Sequence, residues 1–141
     1  MSGFIIAILA GALMSIQGAF NTRLTESSSL WVANTIVHVL GLFVCIILWF
    51  CTGRQPFSPA FKVEKLYFLG GIIGAVIIYT VIKSMSSLGP TLAVMIFLSS
   101  QLISAYIIEV FGLFGTENIG FDFKKLIGMG VIILGIVIFK F

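Results

Sequence analysis

The chain has 141 residues, of which 60% are hydrophobic and 9% charged, and its mean hydropathy is +1.21. A soluble domain of this size leaves much of its surface in water and could not hide so much apolar area. The net charge of +3 would suggest nucleic acid in a soluble protein. Here the basic residues sit at the ends of apolar runs, where headgroups anchor them, so no nucleic-acid partner is implied.

Spanning about 30 Å of hydrocarbon takes roughly 20 apolar residues in a helix. Five runs approach that length: Ser2–Phe20, Trp31–Cys51, Leu66–Lys83, Ala93–Phe114 and Leu126–Phe139. They are continuous rather than alternating, and backbone groups in lipid must be satisfied within the segment, so they are predicted as helices and not barrel strands. The expectation is an all-α membrane protein, one domain of five transmembrane helices over residues 1–141. No connection is long enough for a soluble domain, so its chemistry belongs inside the membrane or at its surface.

The first span lacks the basic leader of a signal peptide and has no A-x-A site followed by a polar mature sequence, so it is read as a retained helix. Gly3, Ala7, Gly11, Ser15 and Ala19 recur every four residues, a small-residue face that lets another helix approach. Gln17 and Asn21 follow at i, i+4. The second span carries Asn34 and His38, again at i, i+4, together with Cys45 and Cys51. Those two cysteines have neither metal-ligand spacing nor the pattern of a disulfide framework. Pro56 and Pro59 mark a turn-rich loop, and Phe57–Lys65 could form a short interfacial helix with Phe57, Phe61 and Leu66 toward lipid.

The third span opens with Gly70, Gly71 and Gly74 and holds Tyr79 and Lys83 at i, i+4. Gly89–Pro90 breaks the chain, because proline is tolerated at a helix start but not within one. Ser99, Ser100, Gln101 and Ser104 cluster near the middle of the fourth span, and Glu109 follows near its end. The fifth carries Gly128, Gly130 and Gly135. No internal repeat is present.

Arg54, Lys62, Lys65, Lys124 and Lys125 fall on the side of the N-terminus, against Arg23, Lys83 and Lys140 on the other. Five against three is a weak bias under the positive-inside rule. Two oppositely inserted copies could then pair as an antiparallel homodimer, the single-gene form of an inverted repeat; one fixed orientation is the alternative.

Polar side chains at membrane depth cost free energy and tend to face a cavity, a partner or a pathway. Gln17/Asn21, Asn34/His38 and Tyr79/Lys83 all fall in the half of the membrane opposite the N-terminus, and Gln101 near the midplane. If those faces converge they line a polar vestibule. Glu109 lies in the other half, and only an antiparallel partner would return its own Glu109 to the vestibule. Each group has a plainer use: amides pair across helices, a lone histidine is a hydrogen-bonded core residue, serines bond back to their own helix and Lys83 reaches the interface. No nucleophile–base pair and no metal-ligand cluster stands out, so neither an enzyme nor a cofactor is expected.

Three segments also carry a family resemblance: G-A-L-M-S-I-Q-G-A-F-N-T-R-L (Gly11–Leu24), the run from G-G-I-I-G into L-G-P-T-L-A (Gly70–Ala93), and Q-L-I-S-A-Y-I-I-E-V-F-G-L-F-G (Gln101–Gly115). In its Q-x3-N and Q-x7-[DE]-x-F-G patterns the chain resembles the five-helix YdcZ-like branch of the drug/metabolite transporter superfamily, related to EamA-type and small multidrug resistance proteins. The resemblance implies a bacterial inner-membrane protein, half the size of a ten-helix transporter, that works as a dimer, and it favours the antiparallel, dual-topology homodimer. It marks Gln17, Asn21 and Gln101 as pattern positions, with Glu109 where relatives often have Asp. The first span has no carboxylate, unlike that of small multidrug resistance proteins, so proton-coupled export of drug cations does not carry over.

The expectation is a small secondary transporter for a polar or amphipathic metabolite. Gln17, Asn21, Gln101, Ser100, Ser104, Asn34, His38 and Tyr79 would bind the solute, and Glu109 would be a coupling candidate. The alternatives are a non-transporting membrane subunit and a passive channel.

Overall fold

The computed structural model describes residues 2–140, with side-chain surroundings over residues 3–140. Among them are five α-helices and no strand: α1 (Ser2–Glu26), α2 (Leu30–Cys51), α3 (Leu69–Leu88), α4 (Pro90–Phe111) and α5 (Phe123–Lys140). Four segments, Gly3–Glu26, Leu30–Cys51, Lys65–Leu88 and Pro90–Phe111, are long and apolar enough to cross a membrane. The 18-residue α5 contains Lys124, Lys125 and Lys140 and is not among them. Within the four candidate spans only 6–11% of the most apolar window is buried inside the chain. Most of their apolar surface therefore needs lipid or another protein against it.

The helices divide into two compact units, Met1–Ser87 and Leu88–Phe141. In the first, α1 continues six residues past the expected end at Phe20, because its polar end satisfies itself. The hydroxyls of Thr22 and Thr25 donate to the carbonyls of Gly18 and Asn21 at 2.9 and 2.8 Å, and Arg23 pairs with Glu26 at 2.9 Å. Ser27–Ser29 then suffice as a link, and the Ser29 hydroxyl caps α2 by accepting from the Val32 N–H at 3.4 Å.

The interfacial helix expected over Phe57–Lys65 is replaced by two 3₁₀ turns, Ser58–Lys62 and Lys65–Phe68, separated by extended backbone at Val63. The third helix consequently starts at Leu69, not Leu66, and it runs on to Leu88, which leaves Lys83 exposed inside it.

The buried residues of this unit gather at one end: Gly18 and Asn21 of α1, Ala33 and Asn34 of α2, and Ile82 and Met85 of α3. A Cβ on Gly18 would lie 2.5 Å from Met85 Cε, so the end of the Met85 side chain occupies the space that a larger residue there would need. By contrast Gly3 and Gly11, in the four-residue row of small residues, have no atom within 4 Å of such a Cβ. Within the chain the packed small residue lies one position off that row.

In the second unit Gly89, at φ +80°, caps α4, and Pro90 occupies its first turn. The helix therefore begins three residues before Ala93. It ends at Phe111, not at the expected Phe114, because Gly112 takes the left-handed conformation (φ +62°) and returns its N–H to Glu109 O. A Cβ there would press on Asn118 at 3.3 Å. The last helix starts three residues earlier than Leu126, where Asp122 Oδ1 accepts from the Lys124 N–H at 2.9 Å.

Candidate functional site

In the first unit the expected polar pairs separate by use. Asn34 is 3% exposed, and its Nδ2 donates to Ala75 O of α3 at 2.9 Å. Its Oδ1 is buried with no hydrogen-bond partner among the described residues. His38 Nδ1 lies 2.9 Å from Asn34 O, one turn back, and a bond there requires the proton on Nδ1. The other ring nitrogen, Nε2, faces Gly74, 3.7 Å from where a Cβ would stand. Tyr79 stacks on Trp31 with ring centroids 5.3 Å apart. Asn34, His38 and Tyr79 thus meet at the α2–α3 contact, while Lys83 is exposed.

Gln17 and Asn21 line an open groove of about 540 Å³ along α1, beside Leu13, Met14 and Phe20. Of the two, Asn21 is buried and Gln17 is exposed.

In the second unit Ser99 is buried and bonds back to Met95 O at 3.0 Å. Ser100, Gln101 and Ser104 are exposed. Gln101 stands at the midpoint of the 22-residue α4. An exposed carboxamide at that depth is one that hydrocarbon will not accept for free.

The Glu109 carboxylate is paired with Lys125 Nζ of α5 at 3.3 Å, so any coupling role would begin by breaking that pair. The same ammonium lies 5.9 Å from the centre of the Tyr106 ring. Buried Tyr106 donates its hydroxyl to Asp122 O at 3.0 Å and accepts from the Asp122 N–H at 2.8 Å, tying α4 to the start of α5. Tyr106 and Lys125 were not among the expected site residues. The signal in the sequence was Tyr106 three positions before Glu109, one helical turn away, but Lys125 is 16 residues distant and only the fold brings it in.

The family model described as "Putative inner membrane exporter, YdcZ" matches residues 2–138. The chain belongs to this family. It is therefore a multi-pass inner-membrane protein of a transporter family, not of an enzyme family. No curated protein and no solved structure matches it.

Proposed function

We propose that the chain is half of an exporter, two copies of which enclose a polar site for a small polar or amphipathic metabolite. Exposed Gln101 at the middle of an apolar helix carries this reading. Its amide must face something other than lipid, and a neutral donor–acceptor pair suits a polar or zwitterionic solute. Gln17 and Asn21, on the groove of α1, offer the same chemistry, and Ser100, Ser104, His38 and Tyr79 would complete the lining. Asn34 has a different main role, holding α2 to α3 through Ala75, with its unpaired oxygen left for a donor from outside the unit. The weak charge bias favours an antiparallel pair, which would complete the five-helix half as an inverted repeat.

Comparing the medium of cells that express the wild-type chain or the Gln101→Leu variant, by untargeted metabolite profiling, tests this. A solute enriched by the wild type and not by the variant, at equal cross-linked dimer yield, is the expected result. If no solute responds to expression, the chain does not export. Loss of the dimer in the variant would make Gln101 an assembly residue.

A further inference from the structure

The α4–α5 seam has features that the transport reading does not use. Below Glu109, Lys125 and Tyr106 lies a cavity of about 430 Å³, lined by Leu102, Ala105, Gly128, Met129 and Ile132. A second, of about 410 Å³, continues along the same two helices past Ile132 to Met95, Leu98, Gly135 and Phe139. Ile132 belongs to both. From Glu109 back to Met95 the helix rises roughly 21 Å at 1.5 Å per residue, about two-thirds of a hydrocarbon core of about 30 Å. The seam is apolar along that length apart from Ser99, whose hydroxyl is turned back to Met95 O, and it is charged only at the end near the helix termini. A compact solute does not need such a groove; an acyl chain does.

The charges at its mouth select the headgroup. One cation and one carboxylate stand together, both about half exposed; among the described residues the carboxylate bonds only Lys125, and the ammonium also faces the Tyr106 ring. An exposed pair of this kind contributes about 0–1 kcal/mol, so exchanging it costs little. A ligand with both a phosphate and a primary ammonium would replace one ion pair with two, each hydrogen-bonded. A purely anionic headgroup would meet Glu109, and the segment from Glu109 to Lys125 also holds Glu117 and Asp122 against only Lys124 and Lys125. A trimethylated ammonium has no N–H to give the carboxylate.

We propose that the α4–α5 seam binds a phosphoethanolamine phospholipid, with its phosphate on Lys125, its ammonium on Glu109 and an acyl chain along the seam. This stands apart from the transport reading and survives or fails without it.

The test is native mass spectrometry of the purified full chain titrated separately with phosphatidylethanolamine, phosphatidylcholine and phosphatidylglycerol. The ethanolamine lipid should be retained about tenfold more tightly than the other two, the worth of one charge-assisted hydrogen bond. Two variants, checked for helix content by circular dichroism, should each remove that preference. Glu109→Gln removes the ammonium's partner. Gly128→Phe fills the seam and leaves the ion pair in place, since a Cβ at Gly128 meets nothing within 4 Å. Equal retention of the three lipids, or a preference that persists in either folded variant, would overturn the proposal. If Gly128→Phe does not fold, Glu109→Gln decides alone.

Discussion

The two units handle polar residues in opposite ways. In residues 1–87 the helical asparagines are drawn inward while Gln17 stays exposed: Asn21 and Asn34 are buried, Asn34 bonds the backbone of α3, and Gly18 sits against Met85. In residues 88–141, α4 keeps Ser100, Gln101 and Ser104 exposed, its link to α5 runs through Tyr106 and the Glu109–Lys125 pair, and an apolar seam lies open between them. The difference shows that an amide in a membrane helix has no fixed meaning. Asn34 and Gln101 look alike in the sequence, yet one meets a carbonyl at 2.9 Å and the other faces outward.

Substitutions that exchange these properties probe the contrast. The largest effect is expected from Gly18→Leu, which would displace the Met85 side chain and crowd Val81. Overpacking of that kind costs about 1–3 kcal/mol, to be read as a lower melting temperature in detergent. Gly128→Leu, placed in open space, should change stability by less than about 0.5 kcal/mol. Equal losses at both glycines would erase the distinction between a packed unit and an open seam.

Next comes Asn34→Leu, which removes an interhelical hydrogen bond worth about 0.6 kcal/mol on average, and at most about 1.7. Because the substitution also removes a buried oxygen without a partner, the loss should fall at the low end of that range. The matching Gln101→Leu should leave the melting temperature unchanged while abolishing export. Tyr106→Phe should cost about 1 kcal/mol or less through its two bonds to Asp122, with faster amide exchange confined to the α4–α5 connection. The smallest effect is expected from Lys125→Gln. A double-mutant cycle with Glu109→Gln should give under about 1 kcal/mol, shrinking as salt is raised. A coupling that ignores salt would mean the pair is shielded from water.

The sequence made the helical class and the breaks legible, since long apolar runs and Gly89–Pro90 admit few other solutions. The true end of α1 was not legible. Thr22, Arg23, Thr25 and Glu26 fall beyond the expected span until the threonine hydroxyls are seen returning to the preceding turn and Arg23 pairing three residues on. The i, i+4 spacing of Asn34 and His38 was visible, but the ring meets the Asn34 carbonyl, not its side chain. Spacing alone cannot choose between those atoms. The row of small residues on α1 likewise named a face without naming a neighbour, and the neighbour within the chain turned out to be at Gly18. Lys125 was read only as a topological charge, because nothing local links it to Glu109.

The most direct test of the central claim, that two oppositely inserted copies complete the export site, is the location of the C-terminus in cells. Fusions there to one reporter active only in the cytoplasm and one active only in the periplasm would locate it. Signal from both, in comparable amounts, is the result dual insertion requires. Signal from a single reporter would contradict the antiparallel pair.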